Sequence, residues 1–217
     1  MRIAVDGPVG SGKTTIAQRL AQRLGFDFLS TGLMYRYVGL MVEKECKDVK
    51  NIECIKKLLK RLDFQLQGDQ LFVDGRPLGS EVKSEKAGEM ASKVAVIPEV
   101  REVLTTYQRR LSEGRNIVVE GRDIGTVVLP DAEVKIYLTA SAEERAKRRY
   151  EEMRRFGLNV SYEEILKQIK ERDLRDTTRK IAPLKPAKDA VIVDTTGKSI
   201  DQVVEEVVNL VVERKIG

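Results

Sequence analysis

The stretch Gly7-Pro8-Val9-Gly10-Ser11-Gly12-Lys13-Thr14 matches G-x-x-x-x-G-K-[ST] and constrains this chain more than any other. It follows the apolar run Ile3-Ala4-Val5, which reads as a buried strand. It precedes a helical pattern with Ile16, Ala17, Leu20, Ala21 and Leu24 on one face. Glycines in such a loop let the backbone wrap phosphate oxygens, with inward N–H groups forming a concave nest. The positive end of the following helix adds to that field. The pattern places Lys13 against β- and γ-phosphates and makes the Thr14 hydroxyl a ligand for Mg²⁺. The bland alternative is an ordinary glycine-rich turn, which a full match between strand and helix disfavours. The cradle spans Gly7 to Thr15, and its expected ligand is a nucleoside triphosphate or something built very like one.

At 217 residues the chain fits one domain with room for a small appended subdomain. Hydrophobic content of 41% and charged content of 34% describe a globular chain rather than a disordered one. No apolar run approaches the roughly 20 residues of a membrane span, and strand one begins without a signal pattern, so a cytoplasmic protein with no membrane partner is expected; a monomer is the expected state. Cys46 and Cys54 form no C-x-x-C pair, which points to a reducing compartment and no catalytic thiol. Charge richness with few cysteines hints at a thermophilic source. Histidine is absent, which excludes histidine bases, phosphohistidine and histidine-bound metals. The net charge of +5 fits either nucleic acid or small anionic substrates.

Along the chain, Phe26 to Leu29 reads as a second strand, and a helix capped by Ser30 or Thr31 runs from there to about Glu45. Tyr35 and Arg36 fall near its N-terminal end. Asn51 to Arg61 is a lysine-rich amphipathic helix. Phe64-Gln65-Leu66-Gln67 and Gln70-Leu71-Phe72-Val73 then alternate around Gly68-Asp69, which reads as an inserted β-meander over about 63–80. Helices follow from about Ser84 to Ala95 and from Pro98. A buried strand, Asn116 to Val119, leads into Gly121-Arg122-Asp123-Ile124-Gly125-Thr126, a ligand-approach loop or a turn with an internal ion pair. Val134 to Leu138 and Ala190 to Val193 complete five expected parallel strands. Ser141/Glu144, Ser161/Glu164 and Ser199/Gln202 mark helix starts. The fold class is α/β: a P-loop NTPase-type five-stranded parallel sheet with helices on both faces, an inserted small antiparallel sheet and a lid.

A P-loop alone names no reaction. The chain has no N-K-x-D base-recognition element and no room for a second ATPase domain. Its arginines fall in separate segments (Arg36, Arg101, Arg122, and the group Arg172, Arg175 and Arg179), with no tryptophan and only 5% aromatics. A single-strand nucleic-acid surface needs a basic stripe with stacking aromatics. Scattered arginines instead suit a second, phosphorylated small substrate. Phosphoryl transfer between two bound anions follows, and an acceptor that is already a phosphate needs no general base. A kinase with another anionic acceptor (UMP or shikimate) and a nucleic-acid-binding ATPase are the alternative readings.

At this point the chain resembles bacterial cytidylate kinases, nucleoside monophosphate kinases of the P-loop class. The matching segments are Asp6-Gly7-Pro8, Ser30-Thr31-Gly32 through Tyr35-Arg36, Ala91 to Ala95, Pro98 to Arg101, Gly121 to Thr126, Lys170-Glu171-Arg172-Asp173 through Asp176, and Arg179 to Leu184. The resemblance implies ATP with Mg²⁺ as donor, CMP and dCMP as substrates and no nucleic-acid partner. It implies a core (1–30, 81–156 and 185–217), an NMP-binding region (31–80) and a lid (157–184). It implies that Tyr35, Arg36 and Arg122 hold the CMP phosphate, and that Thr31, Arg101, Asp123 and Arg179 read cytosine. Ser92, Arg172 and Asp176 then lie by the sugar, with Arg172 reaching phosphate; Lys13, Arg122 and Arg172 form the catalytic set. Thr31 stands where the family pattern has serine, and Glu120 where aspartate is common. Arg145 and Arg149 are either ATP contacts or a solvated helix face.

Overall fold

A computed structural model describes residues 1–216. Five parallel strands form the main sheet: β1 (Arg2–Asp6), β2 (Asp27–Ser30), β6 (Ile117–Gly121), β7 (Val134–Thr139) and β8 (Val191–Asp194), in the order β2-β6-β1-β7-β8. Between β2 and β6 the chain builds α2 (Thr31–Met41), α3 (Ile52–Arg61), a small antiparallel sheet of β3 (Phe64–Gln67), β4 (Gln70–Val73) and β5 (Arg76–Pro77), then α4 (Glu85–Val94) and α5 (Pro98–Ser112). The remaining helices are α1 (Lys13–Leu24), α6 (Ala142–Arg155), α7 (Tyr162–Thr178) and α8 (Ile200–Ile216).

Side chains alternate across a strand, and both faces of β1 and β6 at the centre of this sheet are buried, while the edge strand β8 exposes Ile192 and Asp194. Ile3, Val5 and Val118 pack on Ile16 and Leu20 of α1 and on Val204 and Val207 of α8. Ala4, Ile117 and Val119 face the other way, onto Val100 and Leu104 of α5 and Met34 and Val38 of α2. That second core continues into the inserted sheet through Phe64, Leu66, Leu71 and Val73. The insertion is thus packed, not pendant. Its hairpin also closes on the edge of the main sheet, where the Phe28 N–H donates to the Gly68 carbonyl at 3.2 Å.

Two local expectations change. Ser30 occupies the cap position of α2 without capping it, because its hydroxyl donates to the Glu120 carboxylate instead. The helix does not run regularly to Glu45: it ends at Met41 and continues as a wider π turn over Val42–Cys46.

The two cysteines do more than their spacing indicates. Cys46 and Cys54 are joined in a disulfide with a sequence separation of 8, tying the end of that turn to α3. The C-x-x-C rule missed it because the pair is brought together by the α2–α3 corner rather than by local spacing. The argument for a reducing compartment falls with it, although intracellular proteins of hyperthermophiles do carry such bonds. Closing so short a loop removes chain entropy worth about 2.5 kcal/mol from the unfolded state. Thiol titration is expected to find no reactive thiol in the native protein, and a reductant is expected to lower Tm by several degrees. Two thiols titrating before reduction would refute the bond. Among the described residues, no helix is long and apolar enough to cross a membrane.

Candidate active site

The sheet pairs Val5 with Glu120, Asp6 with Gly121 and Ser30 with Glu120, so the carboxyl ends of β1, β6 and β2 lie level. Three segments leave these ends side by side: the 7–14 loop, the 121–126 loop and the start of α2. Open α/β sheets bind ligands above such strand ends, where connections diverge to opposite sides. A cavity of 780 Å³ lies there.

The glycine-rich loop is built as its motif requires. Gly10 (φ 76°) and Gly12 (φ 81°) adopt the left-handed region, which a side chain disfavours. Lys13 is 7% exposed, and its ammonium donates to the Pro8 carbonyl at 3.4 Å. Val9, Gly10, Lys13 and Thr14 line the cavity; Gly7, Pro8, Ser11, Gly12 and Thr15 do not. The Ser11 hydroxyl is used inside the loop, donating to Pro8 O at 3.0 Å.

Thr31, Tyr35, Arg36, Ser92 and Arg101 all line the same cavity. So do Arg122, Asp123, Arg172, Asp176 and Arg179, although they come from distant parts of the sequence. Arg101 and Asp123 form a buried ion pair, and Arg101 also donates to Ala95 O at 3.1 Å and lies 5.7 Å from the Tyr35 ring centre. Tyr35, expected beside phosphate, thus sits under the Arg101 guanidinium, and burial pushes its phenol up to about 12. Burial also raises the Asp123 carboxyl, with Arg101 opposing most strongly. Arg122 donates to Asp176 at 3.0 Å. Arg36 donates to the carbonyls of Val82 and Ser84 at 2.9 and 3.2 Å, so the segment after the small sheet aims it.

Thr31 has a defined polarity. Its hydroxyl donates to the Glu120 carbonyl at 2.9 Å, which leaves only lone pairs for a ligand. Gly121 makes room for this, since a Cβ there would sit 2.6 Å from Thr31 Oγ1.

The cations are crowded. Burial first, then the charge of Arg122, pushes the Lys13 ammonium down to about 7. The same two causes push the Arg172 guanidinium down to about 10. Arg172 Nε and Arg179 Nη2 are buried donors without a hydrogen-bond partner among the described residues. An unsatisfied buried donor costs about 1–3 kcal/mol, more when charged; Arg179 Nη2 faces the Asp123 carboxylate at 4.0 Å, which leaves Arg172 Nε as the donor suited to an added acceptor.

Several contributors are not in the sequence-derived set. Glu120, at the end of β6, accepts from the Thr14 hydroxyl at 3.2 Å and lies 4.0 Å from the Lys13 ammonium. A hydroxyl and a carboxylate beside a phosphate cradle fit Mg²⁺, which takes few protein ligands and keeps waters and substrate oxygens. Among the described residues, no three acidic or thiol side chains cluster as an all-protein metal cage. Gln18 and the hairpin residues Asp69 and Gln70 also line the cavity, with Gln18 donating to Asp69 at 3.4 Å. Arg145 is not on a solvated face. It is 4% exposed, donates to Val9 O at 3.0 Å and forms a two-pronged pair with Asp173 at 3.0 and 2.6 Å. It thereby ties α7, which carries Arg172 and Asp176, to the glycine-rich loop. Arg149 is partly exposed and pairs with Glu85 of α4 at 3.4 Å.

The family model described as Cytidylate kinase matches residues 3–213. A protein named cytidylate kinase from Fervidobacterium nodosum is 49% identical over 213 residues, spanning 98% of this chain and 97% of its own. Another of that name, from Thermosipho africanus, is 50% identical over 213 residues, spanning 98% and 95%. The crystal structure of an uncharacterized protein from Eubacterium ventriosum shares the fold, with a TM-score of 0.54 at 15% identity over 97% of each chain.

Proposed function

This chain belongs to the cytidylate kinase family of nucleoside monophosphate kinases, and we propose that it transfers the γ-phosphoryl group of ATP directly to CMP and dCMP, forming CDP and dCDP. The observation that carries this reading is the buried Arg172 Nε, a guanidinium donor without a hydrogen-bond partner among the described residues, on a cavity wall shared with Arg36, Arg122 and Lys13. A cradle for one anion and guanidinium groups for another share one space.

The residues divide the work by chemistry. Lys13 lies against the β- and γ-phosphates of the donor. Arg122 and Arg172 hold the acceptor phosphate and the charge that spreads over the transferred group, for which a preorganised cation costs no reorganisation. The acceptor phosphate is already ionised, so the chain needs no base and its lack of histidine is no handicap. Thr14 and Glu120 are the residues that would hold Mg²⁺, which when bound would neutralise charge on the donor phosphates. The donor region belongs to a core of 1–30, 81–156 and 185–217; residues 31–80 hold the monophosphate, and 157–184 act as the lid that excludes water.

Cytosine selection follows from donor and acceptor polarity. Thr31 and Asp123 present lone pairs, which suit the 4-amino group; Arg101 and Arg179 present N–H groups, which suit O2 and N3. Uracil carries an oxygen at position 4 and a hydrogen at N3, so both halves of the pocket meet the wrong partner.

A coupled ADP-release assay with MgATP against CMP, dCMP, UMP, AMP and GMP tests the reading, with no-acceptor and nucleic-acid controls. Turnover is expected to be strongest with CMP or dCMP. Turnover with a different acceptor alone discards the cytosine pocket. Stimulation only by DNA or RNA, with steep salt dependence, replaces the kinase reading altogether.

A further inference from the structure

Asp6 ends β1 and is 4% exposed, yet its partners are two backbone amides rather than a cation. One carboxylate oxygen accepts from the Ile124 N–H and the other from the Gly125 N–H, each at 2.8 Å. These are the two residues directly after Asp123. We infer that Asp6 is a positioning residue for acceptor recognition: it clamps the 121–126 loop so that Arg122 and Asp123 are held at the cavity.

The backbone makes the clamp necessary. Asp123 sits at φ −145° and ψ 27°, outside the helical and strand regions, and opens a short π turn over Ile124–Val128. The first amides of such a turn have no partner within it. Here they are satisfied from a neighbouring strand, while the Asp123 carbonyl accepts from Val127 and Val128 at 2.9 and 3.1 Å and closes the other end. Asp6 is also the sheet neighbour of Gly121 and is followed by Gly7, the first residue of the phosphate cradle. One side chain therefore fixes the acceptor loop relative to the donor loop. Neither Arg122 nor Asp123 can hold this backbone alone, because their side chains are turned to Asp176 and Arg101.

Asp6→Asn preserves shape but offers one acceptor oxygen and one amino group, which meets the second N–H donor to donor. Amide hydrogen exchange on the whole protein is expected to show Ile124 and Gly125 protected in the wild type, and one of the two amides at least about tenfold faster in the variant, the scale of one lost hydrogen bond to a buried group. KM for CMP is expected to rise about tenfold, with KM for ATP changing less than about threefold and CMP-over-UMP preference reduced. Asp6→Ala, which frees both amides, is expected to give a larger effect of the same kind; if it does not fold, Asp6→Asn decides alone. Unchanged exchange at both amides in Asp6→Asn overturns the clamp. So does an equal rise in both KM values, which marks a lesion of the phosphate loop. The kinetic arm rests on the CMP reading. If the wild type does not phosphorylate CMP, that reading fails, while the exchange result still decides whether Asp6 holds the loop.

Discussion

Replacing Lys13 by methionine is expected to lower kcat with CMP by about 10²–10³, the usual cost of losing one preorganised group aimed at transition-state charge. The cost falls on the chemical step because the ammonium contributes little to holding the fold together. Its polar contacts among the described residues are the Pro8 carbonyl at 3.4 Å and the Glu120 carboxylate at 4.0 Å. Burial and the charge of Arg122 both work against it there. Methionine retains the buried stem and removes that repulsion, so Tm is expected to stay level or rise. The prediction is thus a separation of stability from activity, measured by thermal unfolding beside the ADP-release assay. A kcat within threefold of the wild type would show that the phosphates lie elsewhere. A large fall in Tm would show that the lysine is structural.

The elements that sequence patterning captured are those whose signal is local. The strand-loop-helix at residues 2–24 carries its own motif, and the hairpin around Gly68-Asp69 its own alternation and turn residues. The ten residues proposed for the acceptor side were legible only as separate fragments matching one family; no spacing in the chain says that Arg36 and Arg179 share a cavity. What escaped depends on contacts between distant segments. Arg145 lies in a helix so rich in charge that its face looks solvated, and its partner Asp173 is 28 residues further on. Thr31 was legible as a hydroxyl, but its role as an acceptor follows from a carbonyl 89 residues away. The Cys46–Cys54 bond likewise depends on how two helices meet. Side-chain chemistry is written in the sequence, whereas the direction in which a proton points is set by the fold.

That distinction decides how the proposed cytosine pocket is tested. Arg101→Met removes the main counter-charge of a buried carboxylate, so stability is expected to fall by about 3–5 kcal/mol, the scale for breaking a buried pair from one side. For a chain of this size that is roughly 10 °C or more in Tm. CMP turnover is expected to fall with it, but that result alone is ambiguous, since a collapsed pocket and a missing base contact both weaken CMP. The double variant Arg101→Met/Asp123→Asn separates them. It removes both charges of that pair, so part of the lost stability is expected to return, because breaking such pairs is costly mainly through the abandoned charge; the rest stays lost because Arg179, 4.0 Å from the Asp123 carboxylate, gives up its counter-charge. Cytosine recognition is not expected to return with it: the guanidinium donor is gone, and the amide that replaces Asp123 no longer discriminates an amino group from a carbonyl oxygen. The readouts are Tm and the ratio of kcat/KM for CMP to that for UMP in wild type, single and double variants. Stability recovered with the ratio still collapsed assigns the pair to base selection. Recovery of both would make Arg101 and Asp123 a structural pair, and the CMP preference would have to come from Thr31 and Arg179.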